Sequence, residues 1–220
     1  MTRRGALTLL ALLAASAFCV VLVLYRRHHT GDPFYGFLVW NLVLAWVPLV
    51  FALAAYAKAR TGGGVLVVVL GICWLLFFPN APYLLTDFIH LHESFTTPLW
   101  YDALMLAAFA WTGLALGFTS LYVMQAIWER ATSPAVSWLG VVGALALASF
   151  GVYLGRFLRF NSWDALVRPG RIADVVRNEL DNPFSHPRLV AALVVLTGAL
   201  TIAYLVVYSA IGIRLELKRD

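Results

Sequence analysis

The chain has few charged residues and almost no cysteine. Asp, Glu, Lys and Arg together make up 12% of its 220 residues, and the two cysteines are Cys19 and Cys73. Because soluble domains carry about a quarter charged residues, this composition excludes a soluble globular enzyme and a disordered chain. The low cysteine content excludes a small disulfide scaffold. A chain that is 62% hydrophobic is typical of a polytopic membrane protein.

Several functional signatures are also missing. The sequence contains no nucleophile elbow, phosphate-binding loop or dinucleotide fingerprint. Its net charge is +5, but the basic residues lie at segment ends and in loops and form no basic face with interleaved aromatic residues. We therefore predict no cofactor and no nucleic-acid partner. The basic residues at positions 26–29 are interpreted as a flank at the lipid headgroups.

Six stretches are apolar enough to cross a bilayer, which takes about 20 residues. They cover residues 5–25, 34–57, 65–78, 102–127, 135–158 and 187–213. We expect an all-α bundle of about six spans in a single integral membrane domain over residues 1–220. The first stretch runs well past its small residues at 15–17 and ends at a basic flank, which favours a retained helix over a cleaved signal peptide.

Two segments depart from a regular span. Pro79 and Pro82 interrupt the third stretch, and Pro82 disfavours helical angles at Ala81, so we expect the third span to break at Pro79–Pro82 and a helix to restart near Tyr83. In the loop over 159–186, residues 169–180 have the pattern of an amphipathic helix at the membrane surface, with a lid over a substrate site as the alternative. Gly113 and Gly117 have the spacing that permits close helix contact.

The orientation follows from the basic residues in the loops. Lysine and arginine are shared equally between the two sides of the membrane when every loop is counted. When the loop after the fifth span is left out, most of them lie on the side that carries the termini. We therefore expect cytoplasmic termini in a bacterial cytoplasmic membrane. With six spans, the loops after the third and fifth spans lie on one face.

Polar residues at the membrane boundary concentrate in two clusters on that face. Ionisable groups beside or inside spans are costly and often functional. The candidate ligand-binding residues are Asn80, Tyr83, Asp87 and His90 in the first cluster and Arg156, Arg159, Asn161 and Asp164 in the second. On a restarted helix the side chains of Tyr83, Asp87 and His90 share one side. Asp87 and His90 are weak metal candidates, but no zinc motif is present and no metal is predicted.

Arg156 and Arg159 are one helical turn apart and need an anion between them. Asp87 or Asp164 can supply it, which makes an internal ion pair. A phosphate or carboxylate of a lipid or solute is the alternative, because arginine binds such groups bidentately. A dry, closed network of contacts favours the internal pair, whereas an open cleft favours a ligand site.

Both clusters carry motifs of a known family. The motifs are Asn80-Ala81-Pro82-Tyr83, Thr86-Asp87, His90-Leu91, Gly155-Arg156-Phe157-Leu158-Arg159 and Asn161-Ser162-Trp163-Asp164. In these motifs the chain resembles the membrane family known as domain of unknown function 1361. That family's proteins are small, polytopic and mostly bacterial. The resemblance therefore implies an integral membrane protein and supplies no activity.

Three functions remain open. The first is binding or transport of a small polar or anionic ligand, with a polar pocket at one membrane face. The second is a membrane-embedded enzyme acting on a lipid or polyprenyl headgroup, with Asp87 or His90 as general base. The third is a structural or accessory subunit whose charges hold helices together. The expected partners are the lipid bilayer and a small anionic or lipid ligand, and the sequence indicates no oligomeric state.

Overall fold

The computed structural model describes residues 3–91, 93, 97–158, 160, 170, 177 and 187–216. Its helices are α1 (Arg3–Thr30), α2 (Phe37–Ala59), α3 (Gly64–Phe77), α4 (Asn80–Tyr83), α5 (Leu99–Ala131), α6 (Pro134–Phe157) and α7 (Pro187–Glu216). A short 3₁₀ turn, Phe34–Gly36, precedes α2, and a longer 3₁₀ segment, Leu84–His90, follows α4. Apart from residues 170 and 177, the amphipathic helix predicted at 169–180 lies outside the described residues.

The described part of the chain contains no strand, and six of its helical stretches are long and apolar enough to cross a membrane. They are Arg3–Thr30, Phe34–Ala59, Gly64–His90, Leu99–Ala131, Pro134–Phe157 and Leu189–Ile211. The prediction of an all-α polytopic bundle is confirmed. Several helices extend beyond the predicted apolar stretches, because the helical backbone continues into polar flanks. α1, for example, runs on through Arg26 to Thr30.

The central helix of the bundle is α5, which packs against α1, α2, α4, α6, α7 and the 3₁₀ segment. In the membrane-crossing part of α5 61% of the residues are buried, against 12–39% in the other spans. Leu106 and Phe109 lie in the core shared with α1 and α2, whereas Leu121 and Met124 lie in the core shared with α3, α6 and α7. Large apolar side chains elsewhere face outward, as a lipid-facing surface requires.

The third span changes its hydrogen-bonding pattern at the two prolines, as predicted. α3 ends at Phe77, α4 is a single turn, and the 3₁₀ segment follows at once. The expected non-helical conformation at Ala81 is wrong, because Ala81 lies within α4. Pro82 is tolerated there since it falls in the first turn, where backbone N–H groups have no helical acceptor. The prolines therefore alter the winding and do not unwind the chain.

Two pairs of glycines let α5 and α6 approach this interrupted span. A Cβ atom at Gly113 would lie 2.6 Å from the Ala81 carbonyl oxygen, and one at Gly117 would lie 2.9 Å from Ala81 Cβ. On α6, a Cβ atom at Gly151 would lie 2.5 Å from Pro79 Cγ, and one at Gly155 would lie 3.0 Å from the Tyr83 ring. The close helix contact predicted at the α5 glycines is confirmed, and α6 makes a second one.

Replacing Gly151 with alanine is expected to lower the free energy of unfolding by about 1–3 kcal/mol, the usual cost of overpacking a tight contact. Its new methyl group would clash with the rigid ring of Pro79. Gly143→Ala, on the same helix, is the matched control because a Cβ atom there meets nothing within 4 Å. Denaturant unfolding in detergent micelles measures both variants. Equal stability of the two would contradict the tight contact.

Candidate functional site

The end of α6 places one guanidinium group against the 3₁₀ segment. Arg156 Nε and Nη2 donate to Thr86 Oγ1 at 3.0 and 2.8 Å, and Nη2 also donates to Asp87 Oδ1 in a short ion pair. Arg156 Nη1 lies 3.1 Å from His90 Nε2. The Arg156 cluster is defined as Asn41, Tyr83, Thr86, Asp87, His90, Glu93 and Arg156.

The winding of the chain brings these side chains to one side. With three residues per turn, a 3₁₀ helix aligns Asp87 with His90, whereas the sequence predicted an α-helix on which Tyr83, Asp87 and His90 all share one side. The predicted helix type is wrong, but all three residues still reach Arg156. The Tyr83 ring lies under the guanidinium group, with the Arg156 Cζ atom 4.2 Å from the ring centre. Such stacking is a typical environment of buried arginine.

Asp87 is the buried end of the cluster. Its side chain is 1% exposed, and its second oxygen, Oδ2, accepts from Asn41 Nδ2 on α2 at 3.3 Å. A buried carboxylate is tolerated only when it is paired and hydrogen-bonded, and this carboxylate has both. Asn41 was not among the predicted site residues, although an asparagine inside an apolar span is a usable signal.

His90 connects the buried end to the surface. Arginine can only donate hydrogen bonds, so His90 Nε2 accepts from Arg156. Nδ1 therefore carries the hydrogen and donates to Glu93 Oε2 at 2.8 Å, an assignment that follows from the network. The exposed fractions are 10% for Arg156, 22% for His90 and 51% for Glu93. The cluster thus extends from the buried carboxylate of Asp87 to the half-exposed carboxylate of Glu93.

The predicted site residues divide into three groups. Tyr83, Asp87, His90 and Arg156 are brought together. Asn80 donates from Nδ2 to the Phe77 carbonyl at 2.8 Å, which satisfies an acceptor at the end of α3. The other predicted residues, Arg159, Asn161 and Asp164, lie outside the described residues.

The contacts of Arg156 bear on the alternatives left open by the sequence. Asp87 is the anion that it meets, so the described residues form the internal ion pair. Across the described ranges, no three His, Cys, Asp or Glu side chains are grouped to hold a metal ion.

A second charged cluster lies at the same end of the bundle and was not predicted. The Arg26 cluster is defined as Arg26, Asp32, Tyr35 and Asp102. Arg26 Nε and Nη2 donate to the two oxygens of Asp102 at 2.8 and 3.3 Å, and Nη1 donates to Asp32 Oδ2 at 3.2 Å. The interpretation of Arg26 as a headgroup flank is wrong, because its side chain is 1% exposed. The sequence did contain a signal for this pair, because Arg26 near the end of α1 and Asp102 at the start of α5 carry opposite charges at the same end of two spans.

One tyrosine touches both clusters. The Arg26 Cζ atom lies 4.5 Å from the centre of the Tyr35 ring. The hydroxyl group of Tyr35 donates to the His90 carbonyl oxygen at 2.8 Å. The two clusters are therefore joined through Tyr35.

Comparison with known proteins identifies the family. Residues 40–212 match a family model described as a protein of unknown function, DUF1361. The chain belongs to this family. The match takes in the whole Arg156 cluster, whereas Arg26, Asp32 and Tyr35 precede it. No curated protein and no solved structure matches the chain.

The chemistry of this DUF1361 chain follows from the charges of the cluster. Among the described residues, two carboxylates, Asp87 and Glu93, face one guanidinium group and a neutral imidazole. A general base at His90 is not available in this arrangement, because Arg156 occupies its acceptor nitrogen.

Proposed function

We propose that this multi-pass membrane protein binds a small polar ligand at the face that bears the Arg156 cluster. The observation that carries the proposal is the continuous path of contacts from buried Asp87 through Arg156 and His90 to half-exposed Glu93. An ion pair between Asp87 and Arg156 that only joined two helices would not require His90 and Glu93 to extend the network to the surface. With the termini in the cytoplasm of a bacterial cell, the ligand meets the protein from outside the cytoplasmic membrane.

The charges favour a cationic group over an anion at this edge. Arg156 already has Asp87 as its counter-charge, whereas Glu93 has only the neutral His90 among its described contacts. The rings of Phe34 and Phe37 lie 6.1 and 5.2 Å from the His90 ring. These aromatic rings pack on the residue that holds the Glu93 carboxylate, and such surroundings are compatible with an ammonium group. We therefore propose a small primary amine as the ligand class, with an anion held by Arg159 as the alternative.

A structural role is the second candidate, and one observation favours it. The Arg156 contacts with Thr86 and Asp87 join α6 to the third span just where the glycines bring them together. In that case the ion pair fastens two helices and the His90–Glu93 edge has no ligand. An enzyme acting on a lipid headgroup is less well supported, because Arg156 occupies the acceptor nitrogen of His90 and also pairs with Asp87, the other predicted general base.

Variants at the exposed edge test the proposal. Binding of methylammonium to the purified protein in detergent, measured by calorimetry, is expected in the wild type. We expect Glu93→Gln to weaken it about 10-fold to 100-fold, because a hydrogen bond to a charged group contributes about 1.5–3 kcal/mol. His28→Gln is the matched control, since His28 is exposed on α1.

The outcomes separate the two candidates. Binding of methylammonium that Glu93→Gln weakens and His28→Gln leaves unchanged supports the amine site. Binding of inorganic phosphate with no binding of methylammonium would favour the anionic alternative. If neither probe binds and the Glu93→Gln protein keeps its wild-type stability, the ligand proposal is wrong and the structural role stands.

A further inference from the structure

The Arg26 cluster places a buried charged group beside Tyr35. Arg26 is held by both oxygens of Asp102 and by Asp32, so its guanidinium plane is fixed from two sides. Tyr35 is itself buried, with its ring under that plane. Asp102 and Asp32 thus fix the orientation of the Arg26 side chain, and Arg26 packs on the Tyr35 ring. The Tyr35 hydroxyl group is therefore presented in one position at the end of the 3₁₀ segment.

The acceptor of that hydroxyl group is the last carbonyl of the 3₁₀ segment. A helix leaves its final carbonyl groups without helical partners. The His90 carbonyl oxygen here accepts from Tyr35 Oη at 2.8 Å and from the Glu93 backbone N–H at 3.1 Å. These two bonds meet on one oxygen atom. They fix the backbone from which both side chains of the proposed amine site project.

We propose that Tyr35 is a positioning residue for His90 and Glu93, and that Arg26 and Asp102 hold it in place. The significance of His90 and Glu93 rests on the proposed function, but the positioning itself does not. Loss of the hydroxyl group leaves the His90 carbonyl with only the Glu93 N–H bond. In Tyr35→Phe the aromatic ring at position 35 stays under Arg26, so the Arg26 cluster is kept. The freed end of the 3₁₀ segment then lets the His90 imidazole leave its fixed contacts.

The tautomer of His90 is a readout that a merely structural role would not move. In the wild type the network requires the form with hydrogen on Nδ1, because Nε2 accepts from Arg156. Nitrogen NMR of protein labelled at histidine, in detergent micelles, distinguishes the two neutral tautomers. The His90 signal is assigned by its loss in His90→Gln. We expect a single tautomer in the wild type and a mixture of the two in Tyr35→Phe.

Tyr101→Phe is the matched control. The Tyr101 hydroxyl group also donates to a backbone carbonyl at this end of the bundle, that of Leu22 at 2.9 Å, and joins α5 to α1. Its loss removes the same kind of bond without touching His90. We expect both variants to fold and to lose similar stability, while only Tyr35→Phe alters the His90 signal.

Each outcome decides the inference. An unchanged His90 tautomer in folded Tyr35→Phe overturns it, and so does an equal change in Tyr101→Phe. If Tyr35→Phe does not fold, Arg26→Lys replaces it, because lysine keeps the charge beside Asp102 and loses the planar group over the ring. Partial mixing of tautomers in Arg26→Lys then supports the inference, and an unchanged signal rejects it. If the wild-type protein does not bind methylammonium, the proposed function is wrong, but the inference about Tyr35 is unaffected.

Discussion

Replacing Arg156 with methionine is expected to lower the free energy of unfolding by about 3–5 kcal/mol, because it leaves a buried carboxylate without its counter-charge. Asp87 is 1% exposed and would keep only the neutral amide of Asn41 as a described donor. The Thr86 and His90 contacts of the guanidinium group would be lost as well. Denaturant titration of the purified protein in detergent micelles measures the change.

A second variant separates the lost charge from the lost packing. Removing both charges in Arg156→Met/Asp87→Asn is expected to recover most of the stability, since Asn keeps a partner for Asn41 and carries no charge. Arg27→Met serves as the control, because Arg27 is exposed on α1 at the same end of the bundle. A double variant no more stable than Arg156→Met would argue against an uncompensated charge as the cause.

The Arg26 cluster predicts an asymmetric result. Arg26→Met is expected to cost about 3–5 kcal/mol, because it leaves Asp102 buried beside a second carboxylate. Asp102→Asn is expected to cost less, about 1–3 kcal/mol. In that variant Arg26 keeps Asp32 as a counter-charge at 3.2 Å and the Tyr35 ring beneath it.

The order of the two effects is the decisive result. Both variants are compared with the wild type by the same denaturant titration, again with Arg27→Met as the control for an arginine of α1. Should Asp102→Asn prove as destabilising as Arg26→Met, Asp32 would contribute nothing to holding the guanidinium group. Asp102 would then be the single counter-charge that holds Arg26.

The six spans could be predicted because length and hydropathy are local properties of the chain. The interruption of the third span was equally local, since each proline removes one backbone donor. The 3₁₀ winding after it was not predictable in this way. Whether residues 84–90 form an α-helix or a 3₁₀ helix depends on packing with distant elements, such as the close approach of Leu84 to Gly113 on α5.

The two charged clusters also differ in how far the sequence could predict them. Asp87, His90 and Arg156 were predicted because ionisable groups beside or inside apolar spans are rare and conspicuous. Arg26 looked like an ordinary basic flank, because an arginine at a helix end has the same sequence whether it faces solvent or protein. Its partner Asp102 is 76 positions away, so only the packing of α1 against α5 reveals the pair.

The change of winding in the third span also sets the depth of the charges. From Gly64 to Tyr83, a rise of about 1.5 Å per residue carries the chain about 30 Å, which matches the hydrocarbon thickness of a bilayer. The seven residues of the 3₁₀ segment add about 14 Å at about 2 Å per residue. A span along the membrane normal therefore holds Asp87 and His90 at the level of the headgroups. The proposed amine would therefore meet the His90–Glu93 edge in the interfacial water, while Asp87 stays buried between the helices.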